Sequence, residues 1–472
     1  MGIVDRERIR PRTPATRHSG TTAGAFDLEP PHPRRRHDDV VVERTRRALR
    51  LAFGPLEGRT FAVRYWNGTL DAPMSSPRFT LVLTDPGSLR TMLLPPSELR
   101  LGESYIRGVF DVDGDLEAAQ SVADELLERL SGTVTGARLL SQVARLPHMR
   151  AERAVGRMPR RRWRRHSQRR DAAAIRSHYD VSNEFYSLWL DRRRVYSCAY
   201  FETGTEDIDT AQDAKLDLLC RKLRLRPGER LLDIGCGWGG LIAHAAANYG
   251  VRALGITLSQ AQAAGARQAI AAAGVADRCE VQVRDYRALS YDHPFDKVVS
   301  VGMFEHVGRD QLQTYTRHAF SLTAPGGLFL NSGIVAAPRA SGLRPTLQRR
   351  LWHAGAFIDR YVFPDGELVR LGELIECAEA AGFDTRDVEN LREHYARTLR
   401  LWVERLERAR SEALRLVDVQ IYRTWRLYMA ASAHAFSTGR LSLAHALFAR
   451  RQRGGAVSVP WTRRALYGAP GA

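Results

Sequence analysis

The sequence predicts an α/β fold: a parallel sheet covered by helices on both faces, with helical C-terminal additions and a small α+β domain ahead of it. Three observations predict it. From residue 173 onward, short apolar runs of strand length alternate with helical segments, an order that implies right-handed crossovers and hence a parallel sheet. Between residues 40 and 130 the hydrophobic period switches between that of a helix and that of a strand, over a length suited to one small domain. The chain of 472 residues, 44% of them hydrophobic, is too long for one ordinary domain and apolar enough to bury a core in each.

In chain order, residues 1–39 are rich in Arg, Pro, Thr and Gly without a hydrophobic period, which reads as a disordered tail. Val42 to Phe53 has helical spacing, Phe61 to Tyr65 and Phe79 to Leu83 alternate as strands, and Leu116 to Leu130 is helical again. These elements make up the N-terminal domain, expected over residues 40–130. Residues 131–172 form an arginine-rich linker, densest at Arg160, Arg161, Arg162, Trp163, Arg164 and Arg165. It reads either as a solvated linker or as a membrane-docking segment, since clustered basic residues gain about 1 kcal/mol each near anionic lipid and Trp favours the bilayer interface. In the second domain, residues 173–472, the expected strands are Arg230 to Ile234, Arg252 to Ile256, Glu280 to Val283, Phe295 to Val301 and Leu328 to Leu330. Helical segments such as Leu241 to Tyr249 and Ser259 to Ala273 lie between them. From Tyr395 to Arg451 the chain reads as helical, with Leu399, Trp402, Leu406, Tyr422, Trp425 and Met429 on its apolar face.

The formal net charge of +18 points to a polyanionic partner, either nucleic acid or an anionic membrane face. Nearly all of the basic residues are arginine, the lysines being Lys215, Lys222 and Lys297. Five cysteines without a C-x-x-C pair argue against a disulfide framework and a zinc site, so no metal is expected. With no apolar run of roughly 18 to 20 residues and no signal-peptide core, the expected location is the cytoplasm.

The first strand of the second domain runs into Asp233-Ile234-Gly235-Cys236-Gly237-Trp238-Gly239-Gly240 and then a helix. Glycines let the backbone pass close to a ligand, and a helix N-terminus favours negative groups. The G-x-G-x-G-G spacing is shorter than a dinucleotide fingerprint and suits the amino-acid end of S-adenosylmethionine, although such turns also serve other nucleotides. The next strand ends at Thr257 and Leu258 without the usual acidic residue, so Thr257 and Gln262 offer neutral hydrogen bonds to ribose hydroxyls. After the third strand, Asp285 offers a carboxylate to the adenine amino group and Tyr286 a ring to stack on it.

Several ordered segments together carry a resemblance: His178-Tyr179-Asp180-Val181-Ser182-Asn183, Tyr196-Ser197-Cys198-Ala199-Tyr200-Phe201, the glycine loop, and Val301-Gly302-Met303-Phe304-Glu305-His306-Val307-Gly308. The chain resembles cyclopropane-fatty-acyl-phospholipid synthases and the related mycolic acid and branched fatty acid methyltransferases over about residues 175 to 450. Tyr361 to Gly366 belongs to the same likeness, and Gly102-Glu103-Ser104-Tyr105 extends it weakly into the first domain. The resemblance implies a class I methyltransferase, Rossmann-like fold and methyl transfer from S-adenosylmethionine to a cis double bond in a phospholipid acyl chain. It places Tyr196, Ser197, Asp233, Gly235, Gly237 and Gly239 at the cofactor. The alkylated chain carries a positive charge that water would quench, so the site must be dry and lined with aromatic faces, for which Tyr200, Phe201, Trp238 and Phe304 are candidates. In the family a bicarbonate ion acts as the base, held by Glu, Cys, Tyr and His. Glu305, Cys198 and Tyr395 match three of these, and Ser332 stands in the place of the histidine. Serine has neither the charge nor the reach of an imidazole, so a methyl- or methylene-branched product is as consistent with this sequence as a cyclopropane.

The partners implied are unsaturated phospholipid chains and an anionic membrane surface, with the protein peripheral on the inner face of the cell membrane. One competing reading is a catalytically weak lipid-binding protein that keeps the fold. Another is an RNA methyltransferase, which would carry an N-P-P-[YF] type loop where this chain has Met303-Phe304-Glu305-His306. Nucleic acid is therefore not expected as a partner.

Overall fold

A computed structural model describes residues 35–131, 133–149, 182–337, 355–363, 366–457 and 459–467. Residues 1–34, the densest arginines at 160–165, the stretch His178 to Val181, and Pro364 and Asp365 lie outside the described residues.

The first unit comprises α1 (Arg35–Phe53), β1 (Phe61–Arg64), β2 (Leu70–Asp71), β3 (Phe79–Leu83), α2 (Ser88–Leu93), α3 (Glu98–Ile106), β4 (Phe110–Gly114), α4 (Leu116–Ser131) and α5 (Thr133–Ala144). Its strands lie in the order β2-β1-β3-β4, with β1 and β3 parallel. Along β3 the alternation turns Phe79, Leu81 and Leu83 into the core, as a half-buried strand requires. Helix α5 packs on α1 and α4.

The second unit opens with α6 (Asn183–Ser187) and α7 (Ile208–Leu223), and then alternates: β5 (Arg230–Ile234), α8 (Gly240–Tyr249), β6 (Arg252–Thr257), α9 (Gln260–Ala272), β7 (Cys279–Val283) and β8 (Phe295–Val301). It continues with α10 (Leu312–Leu322), β9 (Thr323–Ala336), α11 (Ala356–Tyr361), α12 (Leu371–Ala380), β10 (Phe383–Asn390), α13 (Arg392–Arg408), α14 (Arg410–Leu416), α15 (Val419–Ser437) and β11 (Leu441–Arg450). The seven strands run β10-β11-β9-β8-β5-β6-β7. The five from β9 to β7 are parallel, while β11 is antiparallel to both β9 and β10. The sheet is mostly parallel and helix-covered, in agreement with the expected fold class, whereas β11 corrects the expectation of helix as far as Arg451. Strand β11 is buried on both faces from Leu443 to Ala449, so its apolar residues do not alternate and resemble a buried helix.

Two arginines of α15 join the units. Arg426 donates to the Tyr105 hydroxyl at 2.7 Å, to the carbonyls of Val112 and Gly114 at 3.2 Å each, and to Glu407 at 2.6 Å. Arg423 donates to the Tyr105 carbonyl at 2.7 Å and pairs with Asp111. Strand β4 is at the edge of its sheet, and Arg426 supplies a donor to the carbonyl of its buried residue Val112. Around them one hydrophobic core runs continuously from Phe61, Phe79 and Leu126 to Trp189, Trp402, Trp425 and Phe436.

Candidate active site

Two adjoining cavities open at the C-terminal ends of the parallel strands, where open α/β sheets bind their ligands. The first is lined by Tyr196, Ser197, Lys215, Asp233, Gly235, Gly237, Trp238, Thr257, Leu258, Gln262, Asp285 and Tyr286, among others. All but one of the residues expected at a cofactor are brought together there. The exception is Gly239, which does not line the cavity. It starts α8 with φ +79°, and a Cβ on it would lie 2.9 Å from the Ala266 Cβ, so its role is close packing of α8 on α9.

The cradle fits a ligand that approaches the backbone closely. Gly235 has φ +90°, a region that side chains rarely adopt. Beneath it, a Cβ on Gly255 would stand 2.8 Å from Cys236. Asp233 is 2% exposed, and its Oδ1 has no hydrogen-bond partner. Burial pushes its pKa up to about 7. The Thr257 hydroxyl donates to Gln262 Oε1 at 2.7 Å, which leaves the amide end of Gln262 to serve a ligand. The Asp285 carboxylate is clamped by Arg287 at 2.7 Å. It stands at the cavity's edge as a fixed acceptor. Tyr286 packs edge-on against Tyr315 with centroids 5.6 Å apart.

The second cavity, of about 600 Å³, is lined mainly by apolar atoms and shares Tyr196, Ser197, Val301, Gly302 and His306 with the first. Cys198, Glu305, Ser332 and Tyr395 all line it. From them it extends between the two units to Phe53, Phe61, Phe79 and Leu81 of the N-terminal sheet and helices. Glu305 follows β8, and its Oε1 accepts the Ile334 backbone N–H at 2.7 Å. Its Oε2 is shut off from solvent without a partner. Burial outweighs the backbone hydrogen bonds to the carboxylate and raises the pKa to about 7. The Cys198 thiol is directed at the carbonyls of Ala199, at 3.2 Å, and Leu391, at 3.8 Å, and burial raises its pKa well above the ordinary thiol value. Tyr395 is 7% exposed.

Of the four aromatic residues expected to wall the acyl site, none lines this cavity. Tyr200 stacks on His394 at 4.8 Å, and the Phe201 N–H donates to that imidazole at 3.0 Å, so both fasten their loop to α13. Trp238 belongs to the first cavity and donates to Asn183 at 2.8 Å. Phe304 fills the space over Gly333, where a Cβ would stand 2.1 Å from its ring. The wall is made instead by Phe53, Phe61, Phe79, Tyr105, Phe110, Phe357, Phe363, Tyr428 and Phe436, beside Tyr196 and Tyr395. Scattered over most of the chain, these residues carry no shared local motif.

The four positions that the resemblance assigns to a bicarbonate ion all line this one cavity. Ser332 replaces the imidazole, and the Cys198 thiol is already turned toward two carbonyls. Directly opposite Ser332 across the β9–β11 pair stands His445, 2% exposed, with no partner for Nδ1. Sequence reading also passed over Lys215, which lies at the floor of the first cavity and is 2% exposed. A lysine among the apolar residues of α7, in a chain with so few lysines, was the available signal.

Residues 166–446 match the family model described as mycolic acid cyclopropane synthetase. A probable fatty acid methyltransferase of Pseudomonas putida is 42% identical over 405 residues, covering 86% of this chain and 95% of that protein. Cyclopropane mycolic acid synthase MmaA2 of Mycobacterium tuberculosis (strain H37Rv) is 35% identical over 276 residues, covering 57% of this chain and 94% of that protein. Among solved structures, mycolic acid cyclopropane synthase CmaA1 complexed with SAH and CTAB matches with a TM-score of 0.55 at 33% identity, covering 59% of this chain and 98% of that one. The strand order, the glycine cradle and these matches agree: the chain belongs to the mycolic acid cyclopropane synthetase family and is an S-adenosylmethionine-dependent enzyme of the C-methyltransferase type.

Proposed function

We propose that the protein transfers a one-carbon unit from S-adenosylmethionine to the double bond of an unsaturated acyl chain of a membrane phospholipid. The product is a methyl- or methylene-branched chain or a cyclopropane. The observation that carries this reading is the cavity of about 600 Å³ that begins at Glu305, Ser332, Cys198 and Tyr395, touches the first cavity, and ends inside the N-terminal unit. A pocket of that size, apolar with a few convergent polar groups, suits a chain rather than a base or a headgroup. The match to fatty acid methyltransferases supports an acyl substrate, and at 405 residues it must also include part of the N-terminal unit that lines the pocket.

S-adenosylmethionine, seated by Asp233, Gly235, Gly237, Gln262 and Tyr286, supplies an electrophilic methyl group. What the chain adds is exclusion of water, aromatic faces that tolerate a cation in the lipid, and a proton acceptor. Glu305 is that acceptor in our reading. With a pKa near 7 it is a stronger base than an ordinary carboxylate while still ionised in part at neutral pH. Proton loss from the transferred methyl group closes a ring, loss from the chain carbon that bears it leaves a methyl-branched alkene, and a 1,2-hydride shift from that carbon followed by loss from the methyl group leaves a methylene branch.

Membrane access is supported by Arg44, Arg47, Arg50 and Arg145, which surround one cleft with Leu51 on the outer face of α1 and α5. Among the described residues no helix is long and apolar enough to cross a membrane, and our reading is of a peripheral protein on the inner membrane face. The test is incubation with methyl-labelled S-adenosylmethionine and anionic vesicles of monounsaturated phospholipid, followed by mass spectrometry and NMR of the acyl chains. Label in the chain at the former double bond is expected. Label on the headgroup, or none, refutes the proposal.

A further inference from the structure

The acyl cavity closes inside the N-terminal unit. Its lining residues that are exposed to solvent, Gly302, Gly355, Asp359, Gly366 and Arg440, all belong to the second unit, and none of those from the N-terminal unit is exposed. The closed lobe ends on three rings. Phe61 stacks on Phe79 with centroids 5.1 Å apart and meets Phe53 edge-on at 5.2 Å. Phe61 is 2% and Phe79 4% exposed, so both are held in a close-packed core that gives them little room to swing aside. Helix α11 roofs the lobe. Its Phe357 lies over Gly102, where a Cβ would stand 2.5 Å from the ring, and its Tyr361 hydroxyl donates to Glu103 at 2.9 Å. The charged residues that the N-terminal unit contributes to the cavity, Glu98 and Asp124, are already engaged. Glu98 accepts the Gly355 N–H at 2.5 Å, and Asp124 binds His434 at 2.7 Å and Arg440 at 2.8 Å. Such a lobe would strip the water from an ester or a phosphate and offer little in return, whereas a hydrocarbon end enters it favourably.

We propose that this lobe receives the methyl end of the acyl chain and that Phe53, Phe61 and Phe79 are its stop, so that the number of carbons beyond the double bond decides whether that bond comes to rest beside Glu305. This rests on the acyl reading above and names what selects the substrate within it: the length of the tail, rather than the span between double bond and ester. The ester and headgroup stay on the exposed side, where the cavity sets no such limit. The three rings determine specificity and touch no reacting atom.

The test is competition between phosphatidylglycerols mixed in one vesicle, with the full chain, methyl-labelled S-adenosylmethionine and mass spectrometry of the products. Ratios of kcat/KM obtained in this way do not depend on how much enzyme is folded. Palmitoleoyl and cis-vaccenoyl chains have the same tail and differ on the ester side, whereas palmitoleoyl, oleoyl and gadoleoyl chains share the ester side and lengthen the tail step by step. Label in any of these chains tests the acyl reading by itself. With the unaltered protein, palmitoleoyl and cis-vaccenoyl chains should react within about 2-fold of each other, and kcat/KM should drop steeply at one step of the tail series. In Phe61→Ala the drop should move to a longer tail, with the excluded chain gaining roughly 10- to 200-fold relative to palmitoleoyl, as expected for room made in an apolar pocket. Affinity for S-adenosylhomocysteine should hold, since the rings do not line the first cavity. If Phe61→Ala does not fold, Phe79→Leu carries the test with the same shift. A preference that follows the ester side, the lack of any cut-off along the tail series, or a cut-off that the ring variants leave in place would overturn the inference and leave the acyl reading intact. No label in any chain would overturn both.

Discussion

Glu305→Gln isolates the chemical role of one carboxyl group with little change of shape. In the native protein Oε1 is held by the Ile334 N–H and Oε2 faces no donor. Burial raises the pKa from 4.5 to about 7, a difference of about 3 kcal/mol between the two protonation states. In the unfolded chain the group ionises near 4.5, and in the folded chain only near 7. Across that window the folded state holds the extra proton, so stability falls as pH rises from 4.5 to 7 and levels off above it. The glutamine variant lacks this titration, and at pH 8 it should be the more stable protein by up to about 3 kcal/mol. Asp233 titrates in the same range in both proteins, so the measurement is the difference between their urea midpoints at pH 5 and pH 8. Activity should move the other way, with kcat down by roughly 10²- to 10⁴-fold for loss of a proton acceptor. Affinity for S-adenosylhomocysteine should hold, since Glu305 does not line the first cavity. Native-like turnover by the variant, or an unchanged pH dependence of the midpoint difference, would refute the assignment.

Gly333→Ala should disrupt the same site from beneath, because its Cβ would lie 2.1 Å from the Phe304 ring and 3.1 Å from Glu305 Oε1. Overpacking of this kind costs about 1–3 kcal/mol. Thermal melts should show that loss and turnover should fall, with cofactor affinity retained. Arg426→Met should loosen the two units by leaving Tyr105, Glu407 and the carbonyls of Val112 and Gly114 without their donor. Breaking such a buried set costs about 3–5 kcal/mol, readable in urea unfolding, and a variant within about 1 kcal/mol of the native protein would contradict the docking role.

The glycine loop, the strand ends and Glu305 were legible in the sequence because each is local: a strand, a turn and a helix start contribute adjacent residues to one site. The five parallel strands were legible for the same reason. Strand β11 was not, since burial on both faces erases the alternation that marks a strand. Strand β10, whose buried positions are Phe383 and the charged Asp387, offered too little apolar pattern. Proximity in sequence to the motifs suggested Tyr200, Phe201, Trp238 and Phe304 as an aromatic wall, whereas the second cavity draws its rings from Phe53 to Phe436. That arrangement depends on docking of the two units. Lys215 and His445 are single residues without a pattern, and their burial is visible only once the helices and strands have packed.

The position of β11 bears on how the molecule is made. A ribosome releases the chain from its N-terminal end, so β9 and β10 emerge before the strand that fits between them, and β4 emerges before the arginines that shield its outer carbonyls. Until Leu441–Arg450 arrives, the nascent protein presents open sheet borders to its surroundings. Strand β11 thus acts as a closing seam, and a ribosome stalling short of it would leave a sticky, unfinished product rather than a smaller working enzyme.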